Sequence, residues 1–165
     1  RHWFTSGASV DQARADGATP LFTSAKEGYL EVVEALVAAG ASVDQAEQDG
    51  TTPLFISAHS GHLEVVRCLC CAGANTQHCN NQGGTTVWAA AVEGHVDCVE
   101  ALGEFGIDLE AEDEQGRKPM EVASSVAASR KATEGADSET AENLKKMGQI
   151  LRDARSPAAD ACAQS

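Results

Sequence analysis

Apolar residues in this chain come in short bursts at helical spacing, each followed by a polar run. Val32, Val33, Leu36 and Val37 recur three and four residues apart, which places them on one face of a helix from Leu30 to about Ala39. A shorter helix precedes it. Thr19-Pro20 opens that helix, because proline at the first helical position is preset in φ and gives up only an orphan N–H, with Thr19 as N-cap. Gly28 stops it near residue 27, and the Gly-Tyr or Gly-His pair makes the turn. Gly40 caps the second helix, and the polar run Ala41 to Gly50 projects as a β-turn finger.

The alternation repeats with a fixed step. DGATPLFTSAKEGYLEVVEALVAAGASVDQAEQ returns 33 residues later as DGTTPLFISAHSGHLEVVRCLCCAGANTQHCNN, and again as QGGTTVWAAAVEGHVDCVEALGEFGIDLEAEDE. Gly17, Gly50, Gly83 and Gly116 share one column; Leu21, Leu54, Val87 and Met120 share another. Leu36, Leu69 and Leu102 make an invariant leucine column. A repeat of this length is one supersecondary unit that buries its apolar face only against its neighbours. Function is therefore expected on an extended surface and not in an enclosed cleft.

The arrangement helix, turn, helix, finger, with the signature T-P-L-x-x-(S/A)-A-x-x-G-(H/Y), resembles the ankyrin repeat from roughly Gly7 to Ser124. The expected fold is an all-α repeat solenoid of helix-turn-helix units with β-turn fingers and a C-terminal capping helix. Residues 1–15 read as the second half of an earlier unit, since RHWFTSGASVDQARA matches EALVAAGASVDQAEQ; the chain so reads as a fragment. Full repeats are expected at 16–48, 49–81 and 82–114, a divergent capping repeat at 115–155, and a disordered tail at 156–165. In the cap, a helix from Pro119 is expected to overrun to about Arg130, with a loop over 132–137. Asp137 or Ser138 then caps a helix to roughly Ala154, with Leu144, Met147, Leu151 and Ala154 on one face.

The resemblance implies a curved stack whose fingers and inner helices form a concave face that binds other proteins, with no catalytic machinery in the repeats. Some positions depart from the family pattern. Its usual His after T-P-L is Phe22, Phe55 and Trp88, and its Asn near the finger start is Asp11, Asp44, Gln77 and Glu110, so asparagine hydroxylation is not expected. The alternative reading is a targeting or regulatory arm of a larger enzyme such as a kinase or ubiquitin ligase.

Charge narrows the choice of partner. The formal net charge is -13, and residues 1–116 carry four Lys/Arg against eighteen Asp/Glu. That field repels phosphate backbones, so nucleic acid and anionic membrane are poor partners, and no apolar run approaches the roughly 18 residues of a spanning helix. The expected partner is another protein, with a basic or mixed-charge segment, held by a monomeric array without cofactor or metal.

Candidate contacts are the finger and inner-helix positions where copies differ although the scaffold agrees: Asp16, Lys26, Glu27; Gln48, Asp49, Thr51, His59, Ser60; Asn81, Gln82, Trp88, Glu93; and Glu112, Glu114, Arg117. They could equally vary because nothing constrains them. Phe22, Phe55 and Trp88 are either interface anchors or rings packed between repeats, with packing favoured and one edge of Trp88 left accessible. The acid-rich third finger (Glu104, Asp108, Glu110, Glu112, Asp113, Glu114) could steer a basic peptide or be an ordinary solvated turn, and it lacks the glycine and terminal Glu of a calcium loop.

The cysteines form no paired framework. Cys68, Cys70 and Cys98 fall in columns of small core residues, which suits a reducing compartment, cytoplasm or nucleus, while Cys71 and Cys79 are candidate surface thiols. His78, Cys79, Cys70 and Cys71 are near in sequence, but zinc needs four converging ligands and Cys70 points to the core by its column. His62 and His95 follow glycine at the turn and are expected to bond the neighbouring turn, a structural part and not a general base.

Overall fold

The structure, a computed structural model, describes residues 9–113, 115–134 and 138–154. Among these lie eight helices: α1 (Pro20–Glu27), α2 (Leu30–Ala38), α3 (Pro53–Ser60), α4 (Leu63–Cys71), α5 (Thr86–Glu93), α6 (Val96–Glu104), α7 (Pro119–Glu134) and α8 (Ser138–Ala154). The short helices are bounded as the sequence requires. Thr19, Thr52 and Thr85 each accept the N–H three residues on through Oγ1, satisfying one orphan donor per helix. Gly28, Gly61 and Gly94 then take left-handed φ of 76°, 77° and 82° to end α1, α3 and α5.

Successive hairpins stack in one direction. The inner helices form one row, α1 on α3 on α5 on α7, and the outer helices a second row, α2 on α4 on α6 on α8. A continuous core runs between the rows. Leu21 and Leu54 are fully buried, as are Leu69 and Leu102, while Phe22 and Phe55 are 4% and 5% exposed. Burial of this apolar surface, repeated once per unit, is the main force holding the stack together.

The fingers lie side by side in register. The Gln48 N–H donates to the Asp16 carbonyl at 3.3 Å, and the Asn81 N–H to the Asp49 carbonyl at 2.9 Å. Each bond joins one finger to the next, so the fingers project on one side and do not alternate.

The C-terminal unit departs from the expected loop. α7 continues through residue 134, so residues 132–134 are helical, and 135–137 lie outside the described residues. Its cause is the column of Gly28, Gly61 and Gly94, which Ala127 occupies here; without a left-handed stop the helix runs on. α8 packs on α6 and α7 through Met147, which is fully buried, with Leu144 and Ile150 partly buried beside it. The side chains of Leu151 and Ala154, expected on this face, lie outside the described residues, as do residues 1–8 and 156–165.

Candidate functional site

The exposed face of fingers and inner helices is built on two hydrogen-bonded ladders. In the first, a side-chain amide of each finger reaches back to the finger before it. Gln48 Nε2 donates to the Ala15 carbonyl at 2.7 Å, Asn81 Nδ2 to the Gln48 carbonyl at 3.0 Å, and Gln115 Nε2 to the Gln82 carbonyl at 3.4 Å. In the second, His62 Nε2 meets the Lys26 carbonyl at 2.9 Å and His95 Nε2 meets the His59 carbonyl at 3.0 Å. Those carbonyls sit in the last turns of α1 and α3, where acceptors lack a partner inside the helix, so each imidazole caps the preceding unit. The two histidines are structural, as their column suggested.

Each finger also needs an acceptor at its turn, supplied in two ways. Asp16 Oδ1 accepts the Ala18 N–H at 3.0 Å and Asp49 Oδ1 the Thr51 N–H at 2.8 Å. In the next two fingers that column holds Gln82 and Gln115, and the acceptor moves two residues earlier. Asn80 Oδ1 takes the Gly84 N–H at 2.9 Å, and Asp113 Oδ1 the Arg117 N–H at 2.9 Å. The copies therefore differ here for a scaffold reason, and the exchange is compensated within each finger.

Of the expected contact residues, Asp16, Lys26, Glu27, Gln48, Asp49, His59, Asn81, Gln82, Glu112 and Arg117 are exposed, and Ser60, Trp88 and Glu93 are half-buried. Thr51 is corrected. It is 5% exposed, because the residue after the finger glycine folds back under the turn, where its carbonyl accepts the Glu47 N–H at 2.9 Å. Ala18 and Gly84 in the same column are buried too. Glu114 lies outside the described residues. Gln48 and Asn81 are exposed, but their amides already serve the finger ladder.

On the inner helices, His59 Nε2 lies 3.8 Å from Glu93 Oε1, bridging α3 and α5. Trp88 takes the place of the buried phenylalanines, and a Cβ on Gly84 would come within 3.1 Å of its ring. The larger ring is accommodated because its neighbour has no side chain, and Trp88 ends half-buried.

Three carboxylates of the acid-rich segment are paired, one of them by the preceding repeat. Arg67 reaches Glu104 at 2.6 Å, Lys118 reaches Glu110 at 3.1 Å and Arg117 reaches Asp113 at 2.7 Å. Burial opposes ionisation of Asp113, but the backbone N–H and guanidinium of Arg117 and the N–H of Gln115 outweigh it and hold the carboxyl below its usual range. A hydrogen bond from Arg67, with its charge, likewise lowers Glu104.

A second negative locus, with Arg14 paired to Asp16 at 3.5 Å, was missed in the sequence. Burial first, then the charges of Asp49 and Asp16, push the Glu47 carboxyl above its usual range, against the opposing pull of Lys26 and Arg14. The signal was present: this column reads Arg14, Glu47, Asn80 and Asp113, a change of charge at nearly every copy.

Burial raises the Cys70 and Cys98 thiols to about 11, so neither is a nucleophile near neutral pH. His78 Nε2 is engaged with the Gly50 carbonyl at 2.8 Å. Among the described residues no three His, Cys, Asp or Glu side chains converge as metal ligands, and no helix is long and apolar enough to cross a membrane.

The helix-turn-helix units, their one-sided fingers and the turn imidazoles agree with the comparison against protein families, in which the model for ankyrin repeats, three copies, matches residues 2–78. Residues 2–78 carry ankyrin repeats. Beyond residue 78 the structure continues the same ankyrin geometry through α5 and α6. No curated protein matches the chain. Ankyrin repeats are in general protein–protein interaction modules and typically non-enzymatic.

Proposed function

We propose that this ankyrin array binds a partner protein on the face formed by its fingers and inner helices. The observation that supports it best is the contrast between neighbouring columns. Scaffold columns repeat and are buried, whereas Lys26, His59 and Val92, and then Glu27, Ser60 and Glu93, change chemistry from unit to unit along one open floor. The finger ladder and the imidazole caps hold that floor before any partner arrives, so the scaffold contributes little ordering cost to binding.

The partner presents a basic or mixed-charge segment. The support for this is the Glu47, Asp16 and Asp49 cluster at the junction of the first two full repeats, where an incoming Lys or Arg would relieve the mutual repulsion felt by Glu47. The test is capture of partners by the purified array, repeated with Lys26→Ala/His59→Ala/Glu93→Ala and separately with Glu47→Gln. Loss of the same partner with the triple variant, and a flatter salt dependence with Glu47→Gln, is the expected result. Unchanged capture by the triple variant would remove the floor as the binding face; an unchanged salt profile would remove the basic segment.

A further inference from the structure

We propose that the last turn of α4 carries a dithiol site, Cys68 with Cys71, that takes up trivalent arsenic bearing one organic group. The site lies on the outer row of helices, so it stands independently of the binding face proposed above.

α4 runs Leu63–Cys71, and residues three apart on a helix are neighbours, with Cβ atoms about 5–6 Å apart. Cys71, the last helical residue, is exposed, and Cys68, one turn earlier, is half-buried. The first is the point of entry and the second the closing ligand. The pair belongs to this unit alone: its columns hold Ala35 and Ala38 in the repeat before, and Ala101 and Glu104 in the repeat after. Among the described residues no third metal-ligating side chain joins them, which leaves a site of two sulfurs.

Spacing and charge decide what two such sulfurs can hold. A disulfide needs Cβ atoms about 3.5–4.5 Å apart, closer than a helical turn sets them. That turn is closed: the Ala72 N–H donates to the Cys68 carbonyl at 3.0 Å and the Ala74 N–H to the Leu69 carbonyl at 3.1 Å. One atom placed between the sulfurs lengthens the bridge by a second bond, roughly the 2.3 Å of a metal–thiolate bond, and relieves the mismatch.

Charge then selects the atom. Burial first, then Glu34 and Cys71, push the Cys68 thiol above its usual range. A monovalent soft cation held by two thiolates leaves a net negative centre in these same surroundings, which disfavour it. A trivalent arsenical, R–As=O, reacts with two protonated thiols to give R–As(S)2 and water. Two S–H bonds and the arsenic–oxygen bonds break, two S–As bonds form, and both protons leave with the oxygen. Arsenic stays trivalent and the product is neutral, so the raised thiol does not oppose it.

Phenylarsine oxide added to the full, reduced chain tests this, with uptake read by intact mass. One arsenical per chain is expected to survive excess glutathione, a monothiol, and to be stripped by a small 1,2-dithiol. Cys68→Ser or Cys71→Ser is expected to weaken retention at least tenfold, while Cys79→Ser and Cys162→Ser leave it within twofold. The helical circular dichroism signal is expected to be unchanged on uptake, as it is for a site in the folded turn. No retained arsenical, undiminished retention in Cys71→Ser, or uptake only with loss of helix signal would overturn the proposal.

Discussion

The first three units and the last unit solve the same packing problem with different means. In the repeats, short inner helices of 8 residues are closed at both ends by a threonine cap and a left-handed glycine, and imidazoles and amides tie each unit to its neighbour. In the terminal unit, helices of 16 and 17 residues replace this, with alanine at residue 127 in place of the glycine stop and a core of Val122, Ala123 and Met147. The lesson is that regularity here depends on a few polar contacts at fixed columns; apolar burial without them still stacks a unit but does not fix its helix lengths or latch it.

The largest expected effect lies in the regular region. Leu69→Ala, at a fully buried site between repeats, should cost about 2–5 kcal/mol in denaturant unfolding. A negligible midpoint shift would break the column register on which the comparison stands.

Next in size is a paired test of the latches. Gly61→Ala should lose about 1–2 kcal/mol from a left-handed backbone, and roughly 1–3 kcal/mol more because the new methyl meets the His95 ring. Gly94→Ala should lose only the first part, since its Cβ meets nothing within 4 Å. Equal losses in thermal unfolding would mean that the imidazole seat contributes nothing beyond backbone strain.

The smallest effect is in the thiols. Burial, helped by Asp97, raises the Cys98 thiol to about 11, so the folded state holds that proton more tightly than the unfolded chain. Its contribution is complete below the ordinary thiol value of about 8.5 and is lost as pH rises from there towards 11. A thiol reagent at pH 8 should therefore label exposed Cys71 first and reach Cys98 only on unfolding. Prompt labelling of Cys98 would mean that the α4–α6 junction opens in the folded array.

The helix limits, capping threonines, glycine stops and turn histidines were legible in the sequence, because each follows from local backbone chemistry repeated in register. The shared row of fingers and inner helices was legible as well; the burial of individual residues on it was not. Thr51 looked free because its column varies, yet the chain folds back under the finger at that point. Glu104, Glu110 and Asp113 read as an acidic run, and only their spatial neighbours Arg67, Lys118 and Arg117 reveal them as paired. The α7 overrun past residue 130 was underestimated, since the absence of a stop gives no position at which to end.

By itself the sequence determined the repeating unit and its period, since those depend on φ preferences and on apolar spacing along the chain; it placed Val32 on the apolar face of α2, whereas Val32 is exposed and Val33 is buried. The tertiary structure alone decided which polar groups are taken up by neighbouring units. A hydrogen bond between residues 31, 33 or 36 positions apart forms only once neighbouring units are stacked.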